Sequence, residues 1–367
     1  MMQPLKGEET MKRIVFVIIL FLFPLIGKTD YPMMCTFENN PIARIYSVSD
    51  EGDIIFENNL EVGGNPITIC FSPNGKWGMI GSNTTYYPPT QKTIILGIDS
   101  NRDISVLGTV HNEHYDLVSI SSDSRYGIFG NYLQTVIFNN SDNTFYTNTE
   151  NNTFYASFYA DFSSLNQKII SRRTFCLIKE YEINSNGRVV ETGESMDISP
   201  SSGNEDLRIS PDGKTCIILS IGEYNITVLR IHEGGGFSLV QRFNTESFNP
   251  QEVRFTPDSR YAVVSFSTGY PDLRIYRINW DSTLTETDNI YLPNEPGEDM
   301  AITPDGKYVV TRALINSFSF FYVVRVNENE TIEYLPDKDY VCSGHVSAMA
   351  FVPPEVTCAH DLWMNYE

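Results

Sequence analysis

A tight hairpin is encoded by Ile302-Thr303-Pro304-Asp305-Gly306-Lys307-Tyr308, in which an apolar strand leads into a turn and a second strand begins. Proline restricts φ at the second turn position, Asp hydrogen-bonds to the local backbone, and Gly adopts the positive φ that closes the hairpin. The stretch therefore predicts two antiparallel strands, and its recurrence along the chain predicts a repeat protein.

The same unit recurs at seven positions, which can be counted from the residue aligned with Pro304. These residues are Pro73, Ser122, Ser164, Pro211, Pro257, Pro304 and Pro353, at intervals of 49, 42, 47, 46, 47 and 49 residues. Two copies have lost the proline, and no Asp-Gly follows Pro353. A period of this length, with strands and turns inside it, is typical of a β-propeller.

A polar turn later in each unit gives a second count of seven, from residues 49–52 to residues 327–330. The first polar turn precedes the first hairpin, and the last hairpin has no polar turn after it. We therefore predict that the two chain ends together build the last blade. Its outer strands are predicted near 43–48 and 53–62, and its inner strands near 346–352 and 356–363. The predicted fold class is all-β: a seven-bladed β-propeller of four-stranded antiparallel blades, closed by both ends so that no unpaired sheet edge remains there.

The N-terminal region predicts export. Lys12 and Arg13 precede an apolar run over residues 14–26 that is broken only by Pro24. The run is short for a membrane span and fits the core of a signal peptide, with a retained N-terminal anchor as the alternative. We therefore predict an extension over residues 1–34, a single propeller domain over 35–367, and a secreted, periplasmic or cell-surface monomer.

The charge balance limits the partners. The chain has 26 Lys and Arg against 46 Asp and Glu, for a net charge of −20. Such a surface repels nucleic acid and anionic lipid, so we predict no nucleic-acid partner and no membrane span after signal cleavage. Cations, basic proteins and neutral glycans remain as partners, and solubility alone is the other interpretation of the charge.

The six cysteines are too few for a disulfide framework in a chain of this length. Cys70, Cys176 and Cys216 lie in predicted strands, where we expect buried thiols. Cys342 and Cys358 both fall in the predicted closing blade and could pair across it, since export permits disulfides. No Cys-x-x-Cys occurs, which argues against a zinc or redox site.

The repeat, a strand followed by [Ser/Thr]-Pro-Asp-Gly-[Lys/Arg]-Tyr and a Val-rich strand, resembles the YVTN/lactonase-like seven-bladed β-propellers. The likeness is greatest at residues 300–310 and Leu273–Ile278 and extends over about residues 40–367. WD-repeat proteins are similar in shape, but their Gly-His and Trp-Asp pairs are missing here apart from Gly344-His345. The family includes gluconolactone-type hydrolases and exported propellers; no catalytic set of the hydrolases matches this sequence, so the resemblance implies a shape.

We predict which residues line one mouth of the central channel by taking, in each repeat, the residue five positions before the one aligned with Pro304. They are Thr68, Leu117, Tyr159, Asp206, Glu252, Asp299 and Ala348. Three of them are acidic, and Arg208 and Arg254 follow two of these on the same side of their strands. The carboxylates could hold a hard cation such as Ca²⁺ or Mg²⁺. The arginines could orient an anionic or sugar ligand, or acids and arginines could pair between blades.

Two histidines align eight residues before the Pro304 position, His114 and His345. They are candidates for a general base at the channel mouth, or for exposed loop residues.

The sequence supports two hypotheses about function. The first is an exported, non-catalytic propeller that binds a protein, a glycan or a small ligand through one rim or the channel mouth. The long polar loops predicted at 82–91 and 139–153, together with the absence of Gly-x-Ser-x-Gly, favour it. The alternative is a lactonase-like hydrolase whose acidic channel mouth binds a divalent cation.

Overall fold

A computed structural model describes residues 30–83, 92–111, 117–130, 132–148, 159–172, 176–199, 206–220, 225–246, 248–267, 271–294, 296–315 and 318–354. The strands in chain order are β1 (Tyr31–Phe37), β2 (Asn40–Val48), β3 (Ile54–Glu61), β4 (Asn65–Phe71), β5 (Trp77–Asn83), β6 (Lys92–Ile98), β7 (Ile104–His111), β8 (Val118–Ile120), β9 (Tyr126–Phe129), β10 (Gln134–Asn139), β11 (Thr144–Asn148), β12 (Tyr159–Phe162), β13 (Ile169–Arg172), β14 (Leu177–Ile183) and β15 (Val189–Asp197). They continue with β16 (Asp206–Ile209), β17 (Thr215–Ser220), β18 (Asn225–Ile231), β19 (Phe237–Asn244), β20 (Pro250–Phe255), β21 (Tyr261–Phe266), β22 (Leu273–Ile278), β23 (Leu284–Ile290), β24 (Pro296–Ile302), β25 (Tyr308–Ile315), β26 (Phe318–Val326), β27 (Ile332–Tyr334), β28 (Tyr340–Ser343) and β29 (Val346–Phe351). A 3₁₀ turn, Pro336–Lys338, lies between β27 and β28.

These strands form seven antiparallel sheets, which confirms the predicted propeller. Blades 1 to 5 are consecutive sets of four strands: β4–β7, β8–β11, β12–β15, β16–β19 and β20–β23. Blade 6 has five strands, since β27 and β28 both pair with β26. Blade 7 has the order β29-β1-β2-β3, with β29 innermost. No helix in the described ranges is long and apolar enough to cross a membrane.

The closing blade corrects one prediction. Both chain ends build it, as expected, but the C-terminal side contributes the innermost strand β29 alone, and β1 is the second strand. The predicted second inner strand at 356–363 lies outside the described residues, and its place in the sheet is taken by β1. The reason is the apolar alternation of Tyr31–Phe37, which buries Met33 and Cys35 between blades. Strand β1 also runs across the predicted domain boundary between residues 34 and 35.

The turn chemistry explains why each innermost strand folds back on itself. In blade 6, Thr303 Oγ1 accepts the N–H of Tyr308 at 3.0 Å and donates to Asp305 Oδ1 at 2.7 Å. Asp305 Oδ1 also accepts the N–H of Lys307 at 3.0 Å, and Gly306 has φ of 75°. Ser259 takes the glycine position in blade 5 with φ of 59°, and its hydroxyl accepts the N–H of Asp212 in blade 4 at 2.9 Å.

The hydrophobic core is divided among the interfaces between blades. Ile217 and Val228 of blade 4 pack with Val253 and Val264 of blade 5, and comparable clusters join the other neighbouring blades. Strand alternation sends successive side chains to opposite neighbours, so central strands such as β17 and β21 are buried on both faces. The ring therefore holds the starts of its innermost strands at fixed positions around the channel.

Two smaller predictions can be compared with the structure. Cys216 is a buried free thiol and Cys70 and Cys176 are half-buried, while Cys342 is free and Cys358 lies outside the described residues. The region 139–153 was predicted as one loop; its first half is instead a tight turn followed by the outer strand β11, because Thr144–Asn148 pairs with β10. Residues 84–91 and 149–153 of the predicted loops lie outside the described part.

Candidate site at the mouth of the central channel

A cavity of about 210 Å³ lies where the innermost strands begin. The seven residues predicted from the Pro304 position all line it: Thr68, Leu117, Tyr159, Asp206, Glu252, Asp299 and Ala348. Every blade therefore contributes to the cavity, and the predicted register of the innermost strands is confirmed. Only blades 4, 5 and 6 place an acidic side chain at this position.

Asp206 connects blades 4 and 5. Its side chain is 4% exposed and accepts the backbone N–H of Leu207 at 3.0 Å and that of Val253 at 3.1 Å. The guanidinium of Arg208 lies 3.1 Å from Oδ1, and that of Arg254 lies 3.3 Å from Oδ2. Because Val253 and Arg254 belong to β20, this one carboxylate holds two neighbouring innermost strands together.

Glu252 is buried beside Asp206, with 6% of its surface exposed. Its Oε1 pairs with Arg254, whereas Oε2 is buried without a hydrogen-bond partner. Burial raises the pKa of this carboxyl well above its ordinary value, and the opposing effect of Arg254 is smaller. A carboxyl group in this state accepts and releases a proton at a higher pH than an exposed glutamate does.

Arg208 and Arg254 are more exposed than the carboxylates that hold them. Their side chains are 32% and 24% exposed, and both line the cavity. Burial by itself lowers the pKa of Arg208, but Asp206 and the other carboxylates around it raise the pKa overall. The two guanidinium groups are thus held by buried acids, and their side chains remain partly exposed in the cavity.

Asp299 completes the acidic part of the lining and pairs with a residue that sequence reasoning missed. Arg312 of β25 lies 3.0 Å from Asp299 Oδ2, is 5% exposed, and has Nε and Nη1 buried without a hydrogen-bond partner. It stands in the second strand of its blade, outside the positions counted for the channel. The available signal was a single charge in the apolar run Tyr308–Ile315.

Asp161 of blade 3 is a second missed residue. It accepts the hydroxyl of Ser119 at 2.7 Å and the N–H groups of Phe162 at 2.9 Å and Ile209 at 3.0 Å. Burial raises the pKa of Asp161, and Arg208 opposes that shift. The polar network therefore extends over four blades, from Ser119 to Arg254.

The histidine candidates do not join this network within the described residues. His345 pairs through Nδ1 with Glu38, at the start of the closing blade, and it does not line the cavity. His114 lies outside the described residues. Across the ranges that the structure describes, no three His, Cys, Asp or Glu side chains are arranged to hold a metal ion. The acids pair with arginines, as the third interpretation expected, and the arginines keep a face toward the cavity.

Solved structures with the same fold come from several organisms. A periplasmic gluconolactonase from Pseudomonas aeruginosa is 13% identical, with a TM-score of 0.69 over 88% of this chain and 99% of that chain. A protein from Bacteroides uniformis, provisionally assigned as a 6-phosphogluconolactonase, is 17% identical, with a TM-score of 0.71 over 88% and 99%. A protein from Lactobacillus plantarum is 14% identical, with a TM-score of 0.71 over the same shares.

No protein-family model matches the chain, and no curated protein is similar to it. At this identity the likeness is one of fold: the chain has the architecture of the lactonase-like seven-bladed propellers. The resemblance noted in the sequence is confirmed at that level.

Proposed function

We propose that the chain is an exported propeller that binds a small hydroxylated anion, such as an aldonate, at the channel mouth. The observation that carries this proposal is the pair Arg208 and Arg254, fixed by buried carboxylates and partly exposed in one cavity. A guanidinium binds carboxylate and phosphate oxygens through two parallel N–H groups. Arginines already held in place lose little side-chain freedom when a ligand binds.

The size of the cavity restricts the ligand. Its volume of about 210 Å³ is below that of a pocket for a drug-sized molecule, roughly 300–1,000 Å³. A single sugar acid suits this space better than an oligosaccharide. Thr68, Tyr159 and Gln251 also line the cavity and can form hydrogen bonds with the hydroxyl groups of such a ligand.

Hydrolysis of a lactone is the second candidate function, and Glu252 favours it. A buried carboxyl with a raised pKa and one oxygen without a partner can take a proton from an attacking water molecule. Among the structures of the same fold, one bears the name gluconolactonase. Against hydrolysis stands the absence of a recognisable nucleophile motif, so binding remains our first proposal.

Export and a partner at the rim are further parts of the proposal. The apolar run at 14–26 after Lys12-Arg13 supports a signal peptide. A protein or glycan partner at one rim stays a prediction from the polar stretches 82–91 and 139–153 of the sequence. Secretion of a fusion carrying residues 1–34 before a reporter enzyme tests export, with Lys12→Glu/Arg13→Glu as the control that should retain the reporter.

Calorimetric titration with D-gluconate and D-glucono-δ-lactone tests the binding site. We expect gluconate to bind the wild type and Arg254→Gln to bind at least tenfold more weakly, because a positive charge that lines the cavity is lost. Arg260→Gln is the matched control: Arg260 also pairs with an aspartate, Asp258, but lies in the turn between β20 and β21 and does not line the cavity. No gluconate binding, or equal binding by both variants, would contradict the proposal.

The same samples separate the other candidates. Acid release from the lactone faster than its spontaneous hydrolysis, abolished in Glu252→Gln, would establish an enzyme. Binding that requires Ca²⁺ or Mg²⁺ and disappears with EDTA would restore the cation interpretation. If the ligand binds through the arginines alone, we expect no catalysed hydrolysis and no requirement for a divalent cation.

A further inference from the structure

We propose that Glu252 takes up a proton when the cavity binds its anion, so that the site binds anion and proton together. This inference rests on the proposed function, since it assigns a regulation to the same cavity. The ligand is the anionic form of a weak acid, such as a sugar acid. If binding requires the proton, the protein releases this ligand when the surrounding pH rises.

The first support is the free oxygen of Glu252. Oε1 is held by Arg254, but Oε2 is buried without a partner in a side chain that lines the cavity. A buried acceptor without a donor costs free energy, whereas a protonated Oε2 becomes a donor. An oxygen of a bound anion would supply the acceptor that this donor needs. Asp206 cannot take the role, because its two oxygens already accept two N–H groups and two guanidinium groups.

The second support is the local charge. The ionisable side chains that act on Glu252 are Arg254 of its own strand, Asp206 and Arg208 of β16, and Asp299 of β24. The charges of these four side chains sum to zero. The cluster of five therefore carries one negative charge when Glu252 is ionised and is neutral when Glu252 is protonated. An incoming anion is repelled in the first state and not in the second. Binding and protonation therefore favour each other.

The direction of the pH effect follows from linkage. Burial already raises the pKa of Glu252 in the folded protein, and a negative ligand nearby raises it further, since the charged form is disfavoured again. The complex then holds more protons than the free protein. Affinity for the anion falls as pH rises through and above the free pKa, by at most about tenfold per pH unit for one proton.

The test is calorimetry with gluconate in buffers of different ionisation enthalpy, at several values from about pH 5 to about pH 9. We expect uptake approaching one proton per gluconate at pH values above the pKa of Glu252 in the free protein and below its pKa in the complex. Glu252→Gln has nearly the same shape and no charge, so it should bind gluconate with no proton uptake and with an affinity independent of pH. Circular dichroism and the unfolding midpoint confirm that the variant is folded.

The outcomes distinguish the two proposals. If wild type does not bind gluconate, the proposed binding function fails. If it binds without proton uptake, or if Glu252→Gln still takes up a proton, binding stands and the role of Glu252 is wrong. Asp161→Asn examines the other buried carboxyl with a raised pKa: uptake should persist, and its loss in this variant alone would move the proton to Asp161 and overturn the assignment.

Discussion

The two ends of the innermost strands differ in how often their contacts are repeated. At the turn end, a Ser or Thr hydroxyl accepts the N–H five residues later in five blades: Ser72, Ser121, Ser210, Thr256 and Thr303. At the mouth end, the polar contacts of Asp161, Asp206, Glu252 and Asp299 differ from blade to blade, and they extend from Ser119 in blade 2 to Arg312 in blade 6. The repeated turn contacts are enough to build the ring. The polar contacts that occur only once distinguish the blades from one another, and they lie where a ligand can be recognised.

The largest expected effect is at the mouth end. Asp206→Ala removes a buried acceptor of four donors in two blades and should lower the free energy of unfolding by about 4 kcal/mol. Asp212→Ala at the turn end loses the hydroxyl of Ser210 and the N–H of Lys214, and about 1 kcal/mol is expected. Denaturant unfolding of both variants measures the difference. A greater loss for Asp212→Ala would mean that the turn end, and not the mouth, holds the blades together.

The next effect concerns close approach between turns. Gly213 has φ of 75°, and a Cβ there would overlap the backbone N of Leu165 and lie 2.8 Å from that of Ser164. Gly193 has φ of 100° with no atom near a Cβ. We expect Gly193→Ala to lower the free energy of unfolding by about 1 kcal/mol through backbone strain. Gly213→Ala should lower it by about 3 kcal/mol, because the new Cβ also overlaps the neighbouring turn. Thermal unfolding compares them, and equal losses would show that the turns of blades 3 and 4 can separate without cost.

The smallest effect is expected at the exposed pairs of the turn end. Lys214 Nζ lies 3.8 Å from Asp212 in an exposed position, and Lys214→Ala should change stability by less than about 0.5 kcal/mol. The measurement is denaturant unfolding at low and high salt. A salt-sensitive loss above 1 kcal/mol would show that the basic residues of successive turns act together, and the contrast between the two ends would weaken.

The same contrast explains what the sequence could predict. Turn residues around Pro304 repeat because each blade must reverse its chain, so spacing alone yielded seven blades and the register that places Asp206, Glu252 and Asp299 in one cavity. Pairing with Arg208 and Arg254 followed from alternation within a strand. These features are local, or are repeated often enough to be counted.

Two polar residues of the site and one strand were missed, because none of them is marked by the repeat. Arg312 reaches the network from a second strand, outside the counted positions. Asp161 aligns with Arg208 and Arg254, three residues before the Pro304 position, but it lies in the most degenerate repeat, where the counted residue Tyr159 carries no charge. Strand β1 escaped because it follows a region that reads as a signal peptide and carries no turn signature of its own. Its pairing with β29 depends on residues more than 300 positions away, which no local pattern in the sequence records.

The composition of blade 7 has a consequence for the order of folding. Met33 of β1 pairs with Phe351 of β29, so ring closure joins residues 318 positions apart (351 − 33). That loop is about seven times the length of one repeat, or nearly three doublings, and each doubling adds about 0.6 kcal/mol of closure entropy. During synthesis, β1 must wait with an unpaired edge until nearly the whole chain has been made. The inner edge of β1 is therefore the surface that needs protection from other chains in a nascent molecule.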